Sequence, residues 1–155
     1  MSLALVNVRR SLNRLERFRK SAHDRLLGSV MRYNKERAEV EARIDRVTKS
    51  FAITPVSLDP SGVVRKLEHV IDTYDNHLKQ EVRTVAVGAS EAEINTLTNQ
   101  LEVSIGLDAM YRVVRHYYLL ARKQGGLLAL AQLQMALPTI MEEAEAYSSA
   151  IDAFA

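Results

Sequence analysis

Residues 5–52 read LVNVRRSLNRLERFRKSAHDRLLGSVMRYNKERAEVEARIDRVTKSFA, with no proline and the single glycine Gly28. Apolar residues return at Leu5, Val8, Leu12, Leu15, Phe18, Ala22, Leu26, Val30, Tyr33, Val40, Ile44, Val47 and Phe51. Spacings of three and four put them on one stripe of a helix. The pattern predicts one uninterrupted amphipathic helix over residues 4–52, about 70 Å long at 1.5 Å per residue. A rod of that length outreaches the rest of a chain of 155 residues.

Turn chemistry divides the rest of the chain. Ile53-Thr-Pro-Val-Ser-Leu58 is an irregular link, and Asp59-Pro60 supplies an N-cap followed by a proline where a missing N–H costs nothing. A second helix is expected over about 60–87, with Val63, Leu67, Val70, Tyr74, Leu78, Val82 and Val85 on its apolar face. Gly88 closes it, and Ser90 with Glu93 has the capping-box spacing that opens a third helix over about 90–124. The fourth, over about 126–154, carries a heptad at Leu130, Leu133, Leu137, Ile140, Ala144, Tyr147, Ile151 and Phe154. Its phase survives Pro138, so the reading is one kinked helix rather than two. The expected fold is all-α, a single domain over residues 1–155. It is an elongated antiparallel bundle of about four helices with one very long N-terminal helix.

Composition agrees. A chain that is 47% apolar and 26% charged is folded rather than disordered, and six glycines with three prolines leave few breaks. Absence of cysteine excludes disulfides, thiolate metal sites and cysteine nucleophiles. No apolar run reaches the twenty or so residues of a spanning helix, and the uncharged stretch Gly125 to Met141 is broken by Gln132, Gln134 and Pro138.

The net charge of +2 conceals an asymmetry. Thirteen cations against six carboxylates give residues 1–53 a charge of +7, which leaves −5 for the remainder. The densest part holds Arg9, Arg10, Arg14, Arg17, Arg19 and Lys20 and has the character of a polybasic segment facing an anionic lipid surface. Nucleic acid is the alternative acidic partner. It is disfavoured because Phe18 and Tyr33, the aromatics nearby, belong to the apolar stripe and offer no stacking platform. The plain alternative is a solvated helix face.

Residues that could carry other chemistry do not assemble into a motif. His23, His69, His77 and His116 show neither Glu-x-x-His nor His-Glu-x-x-His spacing, so no metal site is assigned. Gly125-Gly126 lacks the preceding strand and the following lysine of a phosphate loop. Arg115 and Glu143 flank the apolar faces of their helices and are a candidate structural ion pair. No nucleophile, catalytic acid or base, cofactor or small-molecule ligand is read, and the chain is taken as a non-enzyme.

Two stretches carry a family likeness. Asp59-Pro-Ser-Gly-Val-Val-Arg-Lys-Leu-Glu-His69, and the run from Tyr111-Arg-Val-Val-Arg-His116 through Leu133-Gln-Met-Ala-Leu-Pro-Thr-Ile-Met-Glu-Glu-Ala-Glu-Ala146 to Phe154, resemble an archaeal family of conserved membrane-associated proteins of unknown function. The resemblance implies a membrane helix ahead of this region and a further domain after it, making the chain an excised central piece. It implies no activity and no catalytic residue. Taken together, the expectation is a cytoplasmic helical scaffold or interaction module, attached to the membrane in the full-length protein. Self-association, a homodimer first, is expected through the uncovered stripe of helix one, at Val40, Ile44, Val47 and Phe51 or at Leu5, Val8, Leu12 and Leu15.

Overall fold

The computed structural model describes residues 3–51 and 60–153. Five helices make up the fold: α1 (Leu3–Val30), α2 (Arg37–Ser50), α3 (Pro60–Val85), α4 (Glu91–Ala121) and α5 (Leu127–Ala153), with no strand among the described residues. The core is built around α4. From Ser104 to Met110 every residue of α4 is buried, the mark of a helix enclosed on all sides by neighbours. α1, α3 and α5 supply most of that enclosure, and α2 closes the remaining side.

The helix expected over residues 4–52 is two helices. α1 ends at Val30, a turn follows through Tyr33, and residues 34–36 leave helical geometry before α2 begins at Arg37. Asn34 turns the chain: its Oδ1 accepts the Glu36 backbone N–H at 2.9 Å, an alternative to the helical ladder that asparagine offers readily. α2 then runs back antiparallel to α1, which places His23 opposite Glu41 and Asp45. Burial decides between the rod and the hairpin. Folding back encloses Val40, Ile44, Val47 and Phe51, none more than 8% exposed. Each such side chain is worth about 1.5–3 kcal/mol against exposure, whereas each helical hydrogen bond given up costs about 1 kcal/mol net.

Elsewhere the local signals and the structure coincide. Ser90 Oγ accepts from the Glu93 N–H at 3.2 Å and Glu93 Oε1 accepts from the Ser90 N–H at 3.1 Å, a complete capping box after Gly88, which sits at φ +92°. The turn from α4 to α5 demands glycine at 126, because a Cβ there lies 2.3 Å from the Leu120 carbonyl oxygen. α5 continues through Pro138 as one helix. Its heptad buries Leu133, Ile140, Ala144 and Ile151 and leaves Leu130, Leu137 and Tyr147 partly covered; Phe154 lies outside the described residues, as do Ile53 to Asp59. Tyr147 packs edge-on against Gly106, where a Cβ on α4 would approach its Cε2 to 2.6 Å.

Candidate functional site

α1 presents two chemically different faces. The inner one follows positions 12, 15, 19, 22 and 26, of which Leu12, Leu15, Ala22 and Leu26 are buried. The fifth member of that register is Arg19. Its guanidinium is drawn between helices: Nη1 lies 3.3 Å from Asp108 Oδ1, and Cζ stands 3.9 Å from the centre of the Tyr111 ring. Asp108, 6% exposed on α4, gives its second oxygen to Arg112 one turn on, at 2.6 Å from Nε. One buried carboxylate is thus held by two arginines, each oxygen accepting a charge-assisted hydrogen bond.

Beside this node the return of α2 closes a cleft of about 300 Å³. Arg19, Lys20 and His23 line it from α1, Asp45, Thr48 and Lys49 from α2, and Ser104, Asp108 and Arg112 from α4. Thr48, one of these lining residues, has its Oγ1 buried without a hydrogen-bond partner. His23 stands 3.9 Å from both Glu41 and Asp45. Sequence reading missed this constellation, although a signal existed: Arg19 and Asp108 are opposite charges, each seated in the apolar register of its own helix.

The outer face of α1 carries most of the expected basic cluster. Arg10, Asn13, Arg14, Arg17 and Lys20 share one shallow surface depression with the carboxylate of Glu16, and Arg9 is exposed beside them. Arg14 is engaged by Glu145 of α5, and Arg19 is turned inward, so the six cations do not act as one set. Arg9, Arg10, Arg17 and Lys20 have no carboxylate partner among the described residues.

Two other expectations are corrected. Val40, Ile44, Val47 and Phe51, assigned to self-association, lie in the chain's own core, as do Val8, Leu12 and Leu15, with Leu5 packed partly buried against it. The stripe that was to be left for a second copy is covered by α3, α4 and α5, helped by ties such as Arg43–Glu81 at 2.7 Å and Arg25–Asp152 at 3.0 Å. Arg115 is exposed and forms no ion pair with Glu143; the acids of α5 that do pair, Glu145 and Asp152, reach α1 instead.

A second carboxylate site lies on the other side of α4. Glu102 is pushed up to about 8, first by burial and then by the hydrogen bond and charge of Asp75 on α3. Asp75 is lowered, through the same hydrogen bond and through Lys79 at 3.2 Å. The two share a proton near neutrality, with the proton on Glu102. Among the described residues no group of three histidine, aspartate or glutamate side chains is placed to hold a metal ion, and no helix is long and apolar enough to cross a membrane.

Comparison with known proteins adds one finding. Residues 1–155 match the family model described as "Protein of unknown function (DUF1512) N-terminal domain". The chain belongs to this family. No curated protein and no solved structure matches it. For this DUF1512 domain the description supplies no activity, and the archaeal and membrane-associated features implied by resemblance are not part of it. The description places the match in an N-terminal domain, where the resemblance implied a central region.

Proposed function

We propose that this DUF1512 domain is a non-catalytic interaction module that docks reversibly on an anionic membrane surface, at the cytoplasmic leaflet, through the outer face of α1. The observation that carries the reading is the row of uncommitted cations, Arg9, Arg10, Arg17 and Lys20, on a helix whose opposite face is fixed in the core. Each basic residue near an anionic surface is worth about 1 kcal/mol, so the four together give at most about 4 kcal/mol, a millimolar dissociation constant at best, because Glu16 and Asp24 are exposed on the same face. Docking of that strength needs a second anchor, which a neighbouring membrane segment of a longer protein would supply. Packing supports a rigid platform rather than an inserting helix, because the apolar side of α1 is occupied by α4 and α5.

Co-sedimentation with vesicles tests the reading. Phosphatidylglycerol vesicles should retain the protein at low salt, phosphatidylcholine vesicles should not, and Arg9→Gln, Arg10→Gln, Arg17→Gln and Lys20→Gln combined should abolish retention. Screening should remove it at high salt. Equal binding to both vesicle types overturns the proposal, and so does a salt-dependent shift with duplex DNA or RNA at physiological ionic strength that exceeds vesicle binding.

A further inference from the structure

The cleft between α1, α2 and α4 adjoins the outer face of α1 and shares Lys20 with it. Four permanent cations line it, Arg19, Lys20, Lys49 and Arg112, against the two carboxylates Asp45 and Asp108. Both oxygens of Asp108 are taken by arginines, which fixes the two guanidiniums; Arg19 Nη2 also lies 3.9 Å from Glu16 Oε1, and the Nη groups of Arg112 are left available. Lys20 and Lys49 are exposed and have no carboxylate within ion-pair distance among the described residues. Thr48 contributes a buried hydroxyl with no partner, and Ser104, 3% exposed, adds a second hydroxyl to the wall.

We propose that this cleft is a binding site for a phosphate monoester group. The charge surplus of two matches a phosphate monoester, which carries about −1.5 to −2 near neutral pH, better than it matches a monocarboxylate. Fixed guanidiniums, mobile ammonium groups and two hydroxyls form a donor set suited to a tetrahedral oxyanion with three terminal oxygens. A volume of about 300 Å³ admits the phosphate with a small alcohol portion, and anything larger attached to it would lie outside the cleft. The unsatisfied Thr48 hydroxyl is the second observation: a buried polar atom without a partner is costly unless something supplies one. Free phosphate, a soluble metabolite and a lipid headgroup all present this chemistry to the same donor set.

The experiment uses the whole chain and two soluble probes, inorganic phosphate and glycerol 3-phosphate, followed by nuclear magnetic resonance. Saturable shifts are expected at Thr48, Ser104 and Arg112. Lys49→Glu, on α2 and away from the outer face of α1, should weaken binding about tenfold or more by reversing one of the cleft's charges. Lys49→Gln provides the same test with a smaller loss should the charge reversal disturb folding. The double variant Arg10→Gln, Arg17→Gln should leave phosphate binding intact, so the site stands or falls separately from membrane docking. Vesicles of phosphatidic acid, a monoester, compared with phosphatidylglycerol, a diester, separate the sources. A preference for phosphatidic acid that Lys49→Glu removes supports the site with a lipid headgroup, and soluble binding without that preference supports it with a free or metabolite phosphate. No saturable shift with either soluble probe, or binding unchanged in both Lys49 variants, overturns the proposal.

Discussion

Asp108 and Glu102 lie less than two turns apart on α4 and meet opposite surroundings. Asp108 faces α1 and receives two guanidiniums; Glu102 faces α3 and meets the carboxylate of Asp75. The first is a charge whose burial is offset by charged donors on both oxygens. The second keeps its place by holding a proton. The surroundings of each acid are therefore set by the helix it faces, cations from α1 for Asp108 and a carboxylate from α3 for Glu102. The contrast also assigns each side of α4 a role: cations and an open cleft gather toward α1 and α2, acids toward α3.

The strongest way to break the contrast is Asp108→Ala. It leaves Arg19 and Arg112 facing each other across a buried gap without their shared acceptor. Removing one partner of a fully buried pair costs about 3–5 kcal/mol, but the arginines are 30% and 40% exposed and can turn partly to water. The expected loss is about 2–3 kcal/mol, in line with hydrogen bonds to charged groups, read as a lower urea midpoint with unchanged slope. A loss below about 0.5 kcal/mol would mean that the node is an exposed ion pair in all but appearance.

Glu102→Gln tests the opposite side through pH. Glu102 binds its proton more tightly folded than unfolded, with the value raised from 4.5 to about 8. Its contribution to stability is therefore full below the unfolded value and is lost as pH rises through that window toward about 8. Glutamine mimics the protonated form. The variant should track the native protein near pH 4.5, exceed it above pH 8, and flatten the decline between them. Thermal midpoints measured across that range check this, and parallel profiles for the two proteins would show that Asp75 and Glu102 share no proton.

How much of the molecule was legible in the sequence depends on which signal marks each feature. The capping box at Ser90 and Glu93 and the glycines at 88 and 126 are local devices, and the structure uses each where it stands. The break at Asn34 was hidden by a coincidence of phase. Tyr33 and Val40 are seven residues apart, so the stripe resumes at the same angle whether the helix continues or turns back. Only the missing apolar residue midway, at Glu36 or Arg37, separates the two cases, and that is a weak signal. Missing the turn carried two consequences. Val40, Ile44, Val47 and Phe51 were assigned to a partner when they were core, and the cleft that α2 closes was not foreseen. Arg19 was grouped with surface cations because density of charge along the chain says nothing about direction around the helix. Its place between Leu15 and Ala22 in the apolar register did carry that information.

The smallest effect is expected at Arg115, one turn beyond the node on the same helix. Arg112 and Arg115 are both arginines of α4, three residues apart, and sequence position alone gives either the same claim to an acidic partner. Distance along the axis separates them: Arg112 falls one turn after Asp108, within reach of its carboxylate, while Arg115 lies seven residues on, about 10 Å along the axis, is exposed and meets no carboxylate of α5. An exposed side chain outside any network changes stability by less than about 0.5 kcal/mol when truncated. Arg115→Ala should therefore leave the urea midpoint nearly unmoved, and Arg115→Ala with Glu143→Ala should equal the sum of the two single changes, because residues that share no contact do not couple. A coupling above about 0.5 kcal/mol in that cycle would restore the ion pair and with it a different seating of α5 on α4.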